Sequence, residues 1–158
     1  MTLARLHTVD PSLPGAYHVV TRCVRQARLS GRDAASGRDY SHRKGWIEGR
    51  IHELAAQFAI AVYAYAVMDN HVHLVVQTDP QSTAAWSAQE VARRWAMVRP
   101  RPFASASAME EWIEGQVNNA ERIEEYRKRL ASLSWFMRLL NEPIARRANA
   151  EDDCKGHF

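Results

Sequence analysis

VMDNHVHLVV, residues 67–76, sets two histidines one residue apart inside an otherwise apolar run. Asp69-Asn70 is turn chemistry. The runs on either side, from Ala59 or Ile60 to Met68 and from His71 to Thr78, are rich in β-branched and aromatic residues. The stretch therefore predicts a β-hairpin with Asp69-Asn70 at its tip. Side chains at i and i+2 of a strand share a face. His71 and His73 thus fall with Val75, while Val72, Leu74 and Val76 take the opposite face. Two neutral imidazoles side by side on a rigid strand can chelate one cation. They can equally be ordinary core or surface histidines, and the residues alone leave these readings level.

Working outward, YHVVTRCV (Tyr17–Val24) reads as a strand. RLSGRDAASGRD is a polar, glycine-containing loop. From Tyr40 to about Phe58 the apolar positions Trp46, Ile47, Ile51, Leu54, Ala55 and Phe58 fall at three- and four-residue spacing, which predicts a helix with Ser41 as its N-cap. Beyond Asp79-Pro80, residues 83–98 suit a helix, which the RPRPF stretch with its prolines at 100 and 102 ends. Residues 106–149 are helix-prone in two or three pieces, with Pro143 expected to kink or restart the last. The order strand, helix, strand, strand, helices opens a ferredoxin-like split βαβ, an α+β fold with an antiparallel sheet and a helical C-terminal part. Its last strand has no clear owner, KGHF at the end being the one candidate. The expectation is one domain over 1–158, with a helical insert at 83–129.

The bulk numbers exclude several classes. At 158 residues, 46% hydrophobic and 25% charged, the chain can build a core without disulfide or metal staples. Cys23 and Cys154 form no CxxC pair, so a reducing, cytoplasmic setting is expected. No run approaches the roughly 20 apolar residues of a membrane span, and the N-terminus lacks a signal-peptide h-region. The formal charge of +3 is unevenly spread: residues 1–50 carry nine cations against four anions. Arg22, Arg25 and Arg28 form one basic group. Arg93, Arg94, Arg99 and Arg101 form another around Trp95. Arginine suits planar contact with phosphate, so a basic face for nucleic acid is one reading, set against a plain solvated surface. Trp95 fits the core better than base stacking.

Two histidines do not close a structural zinc site, which takes four ligands and usually cysteine. A hard ion, Mg²⁺ or Mn²⁺, completed by waters and a substrate phosphate, suits an open pair better. Asp69 and Asn70 could support the imidazoles from behind, although turn chemistry alone explains them.

AYAVMDNHVHLVV resembles the His-hydrophobe-His segment of the single-tyrosine transposases, above all the REP-associated tyrosine transposase group and its insertion-sequence relatives. YHVVTRC, RKGWIEGRIHELAAQFAI and SWFMRLLNEPIARRANAEDDCKGHF are similar to the same group. The resemblance implies a nuclease of ferredoxin-like fold acting on single-stranded, often hairpin-forming DNA. It makes His71 and His73 ligands of a divalent metal that polarises the scissile phosphate. In the family a tyrosine on a later helix, followed four residues on by Asn or Gln, attacks to form a 5′-phosphotyrosine that a second DNA end resolves. That tyrosine does not carry over. Tyr126 is the weak candidate, since the residue four positions on is Leu130. Tyr63 and Tyr65 are expected to pack. Three functions follow: a transposase cutting and rejoining DNA, a truncated or domesticated derivative that binds structured DNA without cutting it, and an unrelated metal-dependent hydrolase. With the tyrosine helix unmatched, these 158 residues alone are expected to cleave no DNA.

Overall fold

The computed structural model describes residues 10–22, 30–32, 37–99 and 102–153. Strand β1 (Gly15–Arg22) leads to helix α1 (Arg43–Ala55), then to the hairpin of β2 (Ile60–Val67) and β3 (His71–Thr78). Helices α2 (Ala88–Val98), α3 (Ala106–Val117), α4 (Ala120–Leu130) and α5 (Leu133–Glu151) follow, after a 3₁₀ turn at Pro80–Ala85. The sheet order is β1-β3-β2, with β3 antiparallel to both neighbours. β1 and β2 are therefore parallel to each other with β3 inserted between them, the split βαβ expected. Among the described residues no strand follows β3, and β1 is an edge. KGHF, Cys23 and Cys154 lie outside the described residues.

The hairpin has the two-residue turn that its sequence predicts: Val67 pairs with Val72, and the Met68 N–H donates to the His71 carbonyl at 2.9 Å. Burial alternates along β3, with Val72, Leu74 and Val76 inside. These three and Val19 of β1 form one core with Ile47, Ile51 and Leu54 of α1 and with Phe136, Leu139 and Leu140 of α5. The helices therefore cover one sheet face. Residues 83–129 carry α2, α3 and all but the last residue of α4. Val91, Ile113 and Ile123 of these helices join the same core.

Three local expectations need correction. Helix α1 starts at Arg43 with His42 in the cap position and no side-chain cap bond. Ser41 instead sits in a turn, its N–H donating to Asp39 Oδ1 at 2.8 Å. Of the two outcomes expected at Pro143 a restart is excluded, since α5 runs through it as one helix. A proline deprives the carbonyl four residues back of its N–H partner. Here that carbonyl belongs to Leu139, and Arg50 of α1 donates to it through Nε at 3.1 Å, while Nη2 serves the Val98 carbonyl at the end of α2. A charged donor from a neighbouring helix thus satisfies what the ring removes. Finally, Tyr63 does not pack. A bulge shifts the β2 register between Val62 and Ala64, turning Tyr63 outward at 66% exposure.

The turn is pinned from behind. Ser30 donates its N–H to the Asp69 carbonyl at 2.9 Å and its hydroxyl to the Met68 carbonyl at 3.1 Å, and Lys44 lies 3.2 Å from the Asp69 carboxylate. Gly31 makes this close approach possible: its φ is +86°, and a Cβ there would stand 2.4 Å from Asp69 Oδ1. Gly31→Ala is expected to cost about 1–3 kcal/mol in urea unfolding, the range for left-handed backbone in a residue with a side chain. Adding Asp69→Ala should recover only the steric share, leaving the backbone share in place.

Candidate functional site

The helices cover the sheet's Val72–Leu74–Val76 face, which leaves the opposite face to solvent. That open face carries His18, Val20 and Arg22 of β1 and His71, His73 and Val75 of β3. Residues paired across an antiparallel ladder point the same way, and the register sets Arg22 against His71, Val20 against His73 and His18 against Val75. Val20 and Val75 are both more than a third exposed, so the face is open and partly apolar.

The two β3 imidazoles stand with ring centroids 4.8 Å apart and planes at 72°. Each is held at Nδ1. His71 Nδ1 lies 2.6 Å from Asn70 Oδ1, and His73 Nδ1 lies 2.8 Å from His18 Nε2. Asn70 therefore does more than form the turn, since its side-chain oxygen orients the ring beside it. Both Nδ1 atoms being engaged, the Nε2 atoms are the nitrogens available to a ligand. His18 was not singled out in the sequence. A lone histidine in a strand carries no signal until the β1–β3 register is known.

The donor set fits a divalent cation in part. Two imidazoles on one rigid face, each with a partner at its second nitrogen, match the way metal-binding histidines are usually supported. Among the described residues no group of three His, Cys, Asp or Glu side chains is placed to hold a metal ion. What the residues offer is an open half-site, whose remaining positions would fall to water or phosphate oxygens.

The arginines divide. Arg22 ends β1 on the histidine face and is exposed. Arg25, Arg28 and Arg101 lie outside the described residues. The α2 arginines are engaged within the molecule. Arg93 makes a two-pronged contact with Glu110 at 2.8 and 3.0 Å. Arg94 is bound to Glu90, reaches the carbonyls of Ala56 and Gln57, and lies 4.2 Å over the Trp86 ring. Arg99 stacks 4.3 Å over Phe103. Trp95 is core, buried and stacked on Tyr126.

The five tyrosines are all described, and each is engaged away from the histidine pair. Tyr126 is 5% exposed, and its hydroxyl donates to Gln116 Oε1 at 3.2 Å within the helical layer. Tyr17 packs on the core and Tyr40 lies under Arg43. Tyr65 meets His52 of α1. Tyr63 does share the histidine face, but its hydroxyl donates to Gln77, at the other end of β3 from His71.

No described helix is long and apolar enough to cross a membrane. A family model described as "Transposase IS200 like" matches residues 15–110, which is 96 of the 158 residues and takes in both strands of the hairpin and β1. No curated protein and no solved structure matches the chain.

Proposed function

We propose a DNA-handling role on the premise that the chain belongs to the IS200-like transposase family: the open sheet face binds single-stranded, hairpin-forming DNA, with a phosphate held at His71 and His73. The observation that supports this reading is the pair of imidazoles on the open face with both Nδ1 atoms engaged, which leaves the Nε2 atoms as the nitrogens for a ligand. A divalent cation, Mg²⁺ or Mn²⁺, supplies positive charge to phosphate oxygens when bound there. The chain's own residues do the rest. Asn70 and the pinned turn hold the His71 ring. β3, central in the sheet, fixes the spacing of the two rings. Arg22, opposite His71 in the register, would meet a neighbouring phosphate with its planar fork.

A strand-transfer reaction also needs a nucleophile, and none of the five tyrosine hydroxyls is placed for it. That observation favours the second reading, in which these residues bind structured DNA without cutting it. The two readings share one test. Fluorescence anisotropy with a labelled hairpin-bearing single strand should show binding that Mn²⁺ strengthens, with weaker binding to a plain duplex. Affinity should fall as salt rises, as phosphate contacts require. Intact mass after incubation should show no covalent adduct. Metal-independent binding with no preference for the single strand would overturn the site. An adduct would restore the cutting reading and identify its tyrosine.

A further inference from the structure

The two imidazoles of β3 are supported differently. Asn70 offers His71 an oxygen, which can only accept, so His71 carries its proton on Nδ1 and keeps Nε2 bare. The partner of His73 is another imidazole, His18 Nε2 at 2.8 Å, and such a bond can run either way. The rings' arrangement narrows its meaning. Their planes differ by 15° and their centroids stand 5.0 Å apart. That separation exceeds the N···N distance by about two ring radii, so the near-parallel rings meet edge to edge, with the nitrogens in line. A cation cannot sit between them: two in-line bonds of about 2.0–2.1 Å would need about 4 Å. His18 therefore does not join His71 and His73 as a third converging ligand, which accords with the absence of a three-residue metal cluster among the described residues.

We propose that His18 is the positioning residue of this half-site: its Nε2 accepts the Nδ1–H of His73, which fixes the His73 tautomer and presents Nε2 with its lone pair bare beside that of His71. The inference rests on the metal reading above and extends it to a residue on another strand, 55 positions away in sequence. The reverse bond would put the His73 proton on Nε2 and remove the lone pair a metal needs. The β1–β3 register makes the contact possible. His18 faces Val75 and Val20 faces His73, so His18 reaches His73 along the diagonal of one sheet face, within range of a ring side chain. Through His18 and Asn70 both imidazoles would present the same nitrogen, each held from behind by an acceptor.

Calorimetric Mn²⁺ titration of wild type, His18→Phe, His18→Gln and His71→Ala tests this, with thermal unfolding to confirm that each variant folds. His18 is exposed, so the substitutions leave the core untouched. His18→Phe keeps a ring but accepts no hydrogen bond, and should weaken Mn²⁺ binding about 10–100-fold, the usual effect of losing such a support. His18→Gln, whose amide oxygen can accept, should recover most of that loss. In ¹⁵N spectra of the Zn²⁺-loaded protein, His73 should carry a proton on Nδ1 and none on Nε2. Equal affinity of wild type and His18→Phe, or equal losses in the Phe and Gln variants, would overturn the role of His18 while leaving the metal site standing. A proton on His18 Nε2 donated to His73 would do the same. Wild-type protein that binds no Mn²⁺ would overturn the metal site, and His18's role with it.

Discussion

Replacing His71 or His73 by alanine should weaken divalent-cation binding by about a hundredfold or more, since losing a ligand exceeds the 10–100-fold effect of losing a ligand's support. Two protein ligands leave little in reserve, and the double variant should show no measurable binding in a Mn²⁺ titration. The same substitutions should barely change the fold. Both rings stand on the open face, and β3 is anchored by Val72, Leu74 and Val76 on the other. Surface substitutions of this kind usually stay within about 0.5 kcal/mol. The divergence between a large binding effect and a small stability effect is the informative result. Ordinary structural histidines would give the opposite pattern, with stability falling and no cation bound to begin with.

The second large effect belongs to Arg43, and it concerns stability. Arg43 starts α1 yet is 1% exposed. Its Nε donates to Glu151 Oε2 at 2.9 Å and its Nη2 to Asp152 Oδ1 at 2.6 Å, with the guanidinium 4.2 Å over the Tyr40 ring. Burial pulls the proton affinity of this guanidinium down, but hydrogen bonds to Asp152 and then Glu151 outweigh it and hold the group above its ordinary value. It stays charged throughout any usable pH range. The pair ties the first turn of α1 to the end of α5, the two helices that pack together beneath the sheet. Arg43→Met should cost about 3 kcal/mol, the low end for breaking a buried pair, because both carboxylates remain partly exposed and can rehydrate. Chemical unfolding measures the loss. Adding Glu151→Gln and Asp152→Asn to the Met variant should recover part of it, since the cost lies mainly in carboxylates left without their partner. Molar salt on the wild type should not reproduce it, because a buried pair is weakly screened.

Much of this architecture was legible in the sequence, and the reasons are local. The Asp69-Asn70 turn and the period-two alternation of β3 specify the hairpin and its inward face before any contact is known. The helix-prone stretch of residues 106–149 resolves into three helices, separated at the capping residues Asn119 and Ser132, whose side chains accept from Arg122 and Trp135 and which the sequence reading did not single out. What stayed hidden depends on pairing between distant segments. His18 acquires meaning only when β1 lies against β3 in a particular register. Arg50 reads as a surface cation of α1 until Pro143 leaves the Leu139 carbonyl without its donor. The carboxylates that pair with Arg93 and Arg94, Glu110 and Glu90, are set by helix α2 itself and by its packing against α3. Tyr63 reads as a packed strand residue because a bulge cannot be seen in the alternation. In each case local propensity is right about the element, and a long-range partner decides the side chain.

The most direct test of the site is to follow backbone and imidazole resonances of ¹⁵N-labelled protein during a titration with trace Mn²⁺. Paramagnetic broadening falls off steeply with distance from the ion, so it reports where the ion sits without relying on activity. The account predicts broadening centred on His71 and His73, extending to His18, Arg22 and Asn70, and sparing the glutamate-bearing helices α3 and α4. Broadening centred on the glutamates of α3 and α4, or none at all, would contradict it.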